Sequence, residues 1–231
     1  MNTSKDITGT RERPDANGYA ARLEIGYPEK LDRLTTFFRL VLIIPIAIIL
    51  GLIAGSGDTA TNTVFMNEAG EIIRRTRETA GGMAAGLPAA AALMILFRQR
   101  YPRWWFDFQC ELARFQTRVA AYAALLTDQY PSTVDAQSVH LEIDYPDAEK
   151  DLNRWMPLVK WLLAIPHYIV LAFLTVAALF TVVFAWFAIL FTGRYPQGLF
   201  NFVVGVYRWW LRVSAYAFLL VTDVYPPFSL A

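Results

Sequence analysis

A chain of 231 residues that is 55% hydrophobic and 15% aromatic, with a mean hydropathy of +0.33, is too apolar for an ordinary water-soluble domain of its size. Its net charge of +1 hides an uneven distribution, because residues 158–191 hold one Lys, one His and no acid, and this balance gives no support for a nucleic-acid partner. The single cysteine, Cys110, excludes an intrachain disulfide and every paired-cysteine metal motif.

Residues 1–20 read as a polar tail. It lacks the apolar core of a signal peptide, so insertion into a membrane is expected to depend on the first internal apolar segment. Next, Ala21, Leu23 and Ile25 alternate with Arg22 and Glu24, a period of two that predicts a short strand. Tyr27-Pro28 ends it, since proline has no N–H to give a ladder. The segments 37–54 and 83–97 are apolar but shorter than the ~20 residues of an ordinary spanning helix. They predict a helical hairpin that either spans with snorkelling ends or dips in without crossing, with spanning favoured. Between them, 55–81 is a polar insert carrying Glu68, Glu71, Arg74, Arg75, Arg77 and Glu78, read as a loop with a short helix around 69–79. Then Trp105, Phe108, Leu112, Phe115, Val119, Tyr122 and Leu126 recur at spacings of three and four, with Asp107, Glu111, Arg114 and Arg118 on another face. That is the pattern of an amphipathic helix, and Trp104 and Trp105 at its start suit the headgroup level.

The same elements then return. Leu23-Glu-Ile-Gly-Tyr-Pro28 reappears as Leu141-Glu-Ile-Asp-Tyr-Pro146, and Arg39-Leu-Val-Leu-Ile-Ile-Pro45 as Lys160-Trp-Leu-Leu-Ala-Ile-Pro166. Ile95-Leu-Phe-Arg-Gln-Arg-Tyr-Pro102 reappears as Ile189-Leu-Phe-Thr-Gly-Arg-Tyr-Pro196, and Leu125-Leu-Thr-Asp-Gln-Tyr-Pro131 as Leu220-Val-Thr-Asp-Val-Tyr-Pro226. The offset falls from 121 to 94 across the hairpin, so the first copy holds 27 extra residues, 55–81. The chain therefore divides into a tail (1–20), a first repeat (21–131) and a second repeat (138–231). In the second, Val139, Leu141 and Ile143 alternate with His140 and Glu142, and the apolar segments are 157–174 and 176–191. No Gly or Pro marks their midpoint, so a single bent helix is the alternative to a hairpin. Its amphipathic helix sets Leu199, Phe202, Val206, Trp209, Val213, Tyr216 and Leu220 against Asn201, Arg208 and Arg212.

The expected fold is a mainly α integral membrane protein, a duplicated unit of short β-strand, transmembrane or re-entrant helical hairpin and interfacial amphipathic helix, with pseudo-two-fold symmetry. The two strands are expected to pair with each other or with a neighbouring chain. Of the 21 Lys and Arg, 18 lie outside the insert, and the positive-inside rule puts that face and the N-terminus in the cytoplasm of a multi-pass inner-membrane protein. Arg208 and Arg212 near the middle of the last helix argue against its spanning, since a central Arg costs at least ~2.5 kcal/mol.

Trp161-Leu-Leu-Ala-Ile-Pro-His167, Ala188-Ile-Leu-Phe-Thr-Gly-Arg-Tyr-Pro196, Arg212-Val-Ser-Ala-Tyr-Ala217 and Thr222-Asp-Val-Tyr-Pro-Pro-Phe-Ser-Leu230 resemble the family of prokaryotic membrane proteins with domain of unknown function 4389. The resemblance covers 139–230 closely and 22–131 loosely. In the first repeat Arg98-Gln-Arg100 stands where the motif has Thr-Gly-Arg. It implies location and architecture and no activity.

Arg39 and Lys160 occupy equivalent positions six residues before Pro45 and Pro166. They read as a pair of cations for lipid phosphate or an anionic substrate, or as snorkelling side chains, which is favoured. His167 reads as a buried, hydrogen-bonded histidine in preference to a proton relay. Asp128 and Asp223 suit turns before Tyr-Pro, with ion pairs to Arg118 and Arg212 as the alternative. Ser56 and the two histidines, His140 and His167, form neither a triad nor a metal site, so no catalytic residue, cofactor or metal is expected. Trp104, Trp105, Arg114, Arg118, Arg208, Trp209 and Arg212 join Arg39 and Lys160 as candidate contacts to lipid or partner. The reading is a non-catalytic scaffold or accessory subunit in contact with membrane lipids, a homo-oligomer or a subunit of a membrane complex. The alternative is a small transporter or channel with its pathway at the repeat or subunit interface.

Overall fold

The computed structural model describes residues 19–54, 61–66, 72–77, 83–132 and 137–230; most of the expected polar tail lies outside them. The elements run β1 (Ala21–Ile25), α1 (Arg33–Leu42), α2 (Ile44–Ala54), β2 (Thr61–Met66), β3 (Ile72–Arg77), α3 (Met83–Arg98), α4 (Arg103–Ala123), β4 (Val139–Ile143), α5 (Met156–Leu163), α6 (Ile165–Thr192) and α7 (Gln197–Ala217). The chain is mostly helical, as its periodicity predicts.

The two repeats pair their strands with each other. β1 and β4 are antiparallel, and the register sets Leu23 opposite Leu141, its own counterpart in the duplication. Alternation then buries Ala21, Leu23, Ile25, Val139 and Leu141 on one face and leaves Glu24, His140 and Glu142 exposed. Each strand lies against the other repeat's long helix: β1 packs on α7 and β4 on α4. The arginines of those helices seal the sheet, Arg208 Nε donating to the Leu23 carbonyl at 3.0 Å and Arg114 Nε to that of Leu141 at 3.1 Å.

Two expectations need correction. The described part of the helix expected at 69–79, residues 72–77, is a strand; β2 and β3 form an antiparallel pair in which Thr61 faces Arg77 and Met66 faces Ile72. The β-branched Ile72, Ile73 and Thr76 favour the extended chain there. The second repeat has no hairpin either, because α6 is one helix of 28 residues. Pro166 is tolerated in its first turn, where an amide N–H has no partner to lose. It ends at Gly193, whose φ of 72° places it in the left-handed region glycine adopts without strain. Offsets of 121 and 94 map α2 onto 165–175 and α3 onto 177–192. The insert of the first repeat thus interrupts what the second repeat keeps as one continuous helix.

α6 is the one helix among the described residues that is long and apolar enough to cross a membrane. At 1.5 Å per residue it is about 42 Å long. Its ends rest on the rest of the chain through buried Ala164, His167 and Leu171 at one end and Ala185 and Ile189 at the other. Between Leu171 and Ala185 only one stripe, Leu174, Ala178, Thr181 and Val182, is partly covered, and the other nine residues are exposed. Phe173, Leu179, Phe180 and Phe184 are 75%, 64%, 60% and 67% exposed. The core lies elsewhere, where Ile95, Tyr195, Leu126, Leu220 and Val203 pack beneath the sheet.

Candidate functional site

The local sequence 32–39 folds into a capped helical turn. Asp32 accepts the Leu34 N–H on Oδ1 at 2.9 Å, so α1 starts at Arg33 and carries Arg39 two turns on, pointing inward. There the Arg39 guanidinium forms an ion pair with Asp128, donates to the carbonyls of Thr127 at 2.7 Å and Tyr122 at 3.1 Å, and lies 4.4 Å from the centre of the Tyr122 ring. Asp128 Oδ2 in turn accepts the Asp32 N–H at 2.7 Å, tying the start of α1 to the segment after α4.

The second repeat builds the same site from its own residues. Lys160 Nζ sits 2.6 Å from Asp223 Oδ1, donates to the Thr222 carbonyl at 2.8 Å and lies 5.3 Å from the centre of the Tyr216 ring. Asp223 Oδ2 accepts the Asn153 N–H at 2.6 Å, as Asp128 does that of Asp32. Arg39 is 2% and Lys160 0% exposed. Neither snorkels to the surface, and each is a buried cation neutralised by its own repeat. Burial lowers the pKa of Lys160 from the ordinary lysine value, and the adjacent Asp223 opposes that shift.

The aspartates therefore make ion pairs, but not with Arg118 and Arg212. Arg118 Nη1 donates to the Ser132 carbonyl at 2.5 Å, and Arg212, 4% exposed, donates to that of Ser229. Both arginines hold the chain that leaves the long helix. Trp209 is 6% exposed and donates from Nε1 to Nδ1 of His167 at 3.1 Å; the imidazole stacks on Phe228 at 4.0 Å between ring centres. His167 is thus the buried, hydrogen-bonded histidine expected, with Nε2 as the N–H tautomer. Of the nine candidate contact residues, Trp104 at 68% is largely exposed, Trp105, Arg114, Arg118 and Arg208 are half-buried, and Arg39, Lys160, Trp209 and Arg212 are interior. Sequence reasoning missed Tyr122 and Tyr216 as ring partners of the cations, and Asp32 and Asn153 as the amides that hold the carboxylates. The signal was present: Asp32 and Asn153 each stand seven residues before their cation.

A second feature lies where the repeats meet. A cavity of about 480 Å³ opens between α4 and α7, with Leu23 of β1 and Leu87 and Pro88 of α3 in its walls. Gln109, Leu112, Ala113, Gln116, Thr117 and Ala120 line one side, and Tyr207, Trp210, Leu211, Ser214, Phe218 and Leu219 the other. Tyr207 reaches across, donating to the Ala120 carbonyl at 3.1 Å, and burial pushes its phenol up to about 12. No Asp, Glu, Lys or Arg among the described residues lines the cavity. Among the described residues no group of three or more His, Cys, Asp or Glu is placed to hold a metal.

The profile of one protein family, described as a domain of unknown function (DUF4389), matches residues 79–134 and 154–229. The two segments are consistent with two copies, the first beginning beyond most of the insert. No curated protein and no solved structure matches the chain.

Proposed function

The chain belongs to the DUF4389 family, and on that premise we propose that it is a non-catalytic integral membrane component, a scaffold or accessory subunit that assembles with itself or with a partner protein at the membrane face. One observation carries the membrane part. The thirteen residues between Leu171 and Ala185 contain no charge, and apart from one partly covered stripe of Leu174, Ala178, Thr181 and Val182 they are exposed. A helix that leaves so wide an uncharged apolar surface uncovered by its own chain has lipid as its solvent, because leaving that surface in water costs about 25 cal/mol per Å².

The insert supports a multi-pass arrangement. It enters at the point equivalent to the middle of α6 and carries three Arg and three Glu, which hydrocarbon does not accommodate unpaired. α2 and α3 then carry it to the opposite surface, and the excess of cations elsewhere orients the sheet and long helices toward the cytoplasm. The self-pairing register of β1 and β4, the twin ion pairs and the reciprocal Arg114 and Arg208 bonds support a pseudo-two-fold axis through the sheet at Leu23 and Leu141.

The assembly part rests on an asymmetry. α4 exposes Trp104 and Phe108, whereas the equivalent positions of α7 hold Gly198 and the partly buried Phe202. A half-covered aromatic surface beside the membrane suits a partner helix. The transporter reading is the weaker one: Arg39 and Lys160, its candidate ion ligands, are already neutralised, and the cavity has no charged wall. Chemical cross-linking in native membranes tests the assembly. A Trp104→Cys chain is expected to give a discrete cross-linked product through that position; a strictly monomeric product with no partner at any cross-linker length contradicts it.

A further inference from the structure

The cavity between the repeats is not explained by packing. Equivalent faces of α4 and α7 look at each other across Leu23, and the space exists because the first repeat offers Ala113, Thr117 and Ala120 where the second has Tyr207, Leu211 and Ser214. The volume, about 480 Å³, is that of an ordinary small-molecule site. Three of its polar groups are engaged: Thr117 donates to Ala113, Gln109 accepts from Tyr101, and Tyr207 donates to Ala120, which leaves Gln116, Trp210 and Ser214 as the other polar side chains of the wall. An ionic ligand finds no countercharge among these residues and would lose water without compensation. A hydrocarbon chain meets that wall without loss.

The wall also says where the chain comes from. Leu87 and Pro88 belong to α3, the apolar helix equivalent to the second half of α6, so the helix read as entering the membrane supplies part of the cavity wall. Gln116, exposed at the rim, has its amide free to meet an ester carbonyl at the mouth. We propose that this inter-repeat cavity is a lipid site that takes one acyl chain of a membrane glycerolipid, with its ester group at Gln116 and its headgroup outside.

The inference rests on the membrane reading above, and the test separates the two. Full-length protein is extracted in mild detergent, and bound lipid is counted and identified by native mass spectrometry. The expected result is about one diacyl glycerolipid retained per chain, falling at least five-fold in Ala113→Phe, which fills the cavity, with helical circular dichroism unchanged. Thr117→Leu, a smaller filling, is expected to lower retention in the same direction and serves if Ala113→Phe does not fold. Equal retention by wild type and a folded filled variant overturns the proposal, as does recovery of free fatty acid or no lipid at all. Failure of the membrane reading looks different: the wild-type chain is then released from membranes by alkaline carbonate.

Discussion

Lys160 and Asp223 act as a pair, and their worth is best read by removing them in turn. Deleting one partner of a buried ion pair leaves the other charge without compensation, at a cost of about 3 kcal/mol, whereas removing both costs less. Asp223→Ala is therefore expected to lower thermal stability in detergent by about that amount. Lys160→Met combined with Asp223→Ala is expected to recover at least half of the loss; a strictly additive double variant refutes the coupling. Cys110 gives a second residue-scale prediction. Burial pushes its thiol up to about 11, so almost no thiolate is present at pH 8. Maleimide is expected to label it slowly in the folded chain and rapidly in dodecyl sulfate, and equal rates would contradict its placement. At this scale the sequence favours turns for Asp128 and Asp223 and snorkelling for Arg39 and Lys160, with Arg118 and Arg212 as the alternative partners, whereas the carboxylates meet Arg39 and Lys160. Arg39, Lys160, Asp128 and Asp223 stand out by duplication, but Arg118 lies nearer in sequence to Asp128 than Arg39 does. Only the fold, by returning the chain to the start of α1, decides which cation the carboxylate meets.

Among the elements, the segment after α7 depends on one glycine. A Cβ at Gly205 would come within 2.7 Å of the Leu230 carbonyl oxygen and 2.9 Å of its Cβ, and the first repeat has Glu111 at that position. Gly205→Ala is expected to destabilise by about 1–2 kcal/mol through this overlap. In a chain shortened by residues 226–231 the same substitution is expected to cost less than about 0.5 kcal/mol; an undiminished cost would place the effect in α7 itself. Strands and amphipathic helices were legible because both carry a clear period. The 28-residue α6 was not, because a uniformly apolar run has no period to separate one helix from two. The β2–β3 pair was not legible for a related reason: neither 61–66 nor 72–77 alternates apolar with polar residues, so no period of two marks a strand there.

For the molecule as a whole, the duplication makes a demanding prediction. If the insert interrupts a helix that the second repeat keeps intact, deleting 55–81 joins Ala54 to Gly82 in the register of Thr175 and Val176. The shortened chain is expected to fold, with undiminished helical content and an unfolding midpoint within about 5 °C of wild type, a ΔΔG of no more than about 2 kcal/mol; aggregation of that chain would contradict the equivalence. The reciprocal contacts of Tyr27 with Tyr195 and of Tyr145 with Tyr101, each 2.5 Å from hydroxyl to carbonyl, tie each repeat to the other. The two halves are thus expected to unfold together. The central claim is that the middle of α6 lies in lipid, and a nitroxide spin label at Leu179, in a chain carrying Cys110→Ser and reconstituted in bilayers, tests it most directly. The label is expected to relax strongly with oxygen and weakly with a water-soluble nickel chelate. The opposite order would place that helix in water and remove the basis of the membrane assignment.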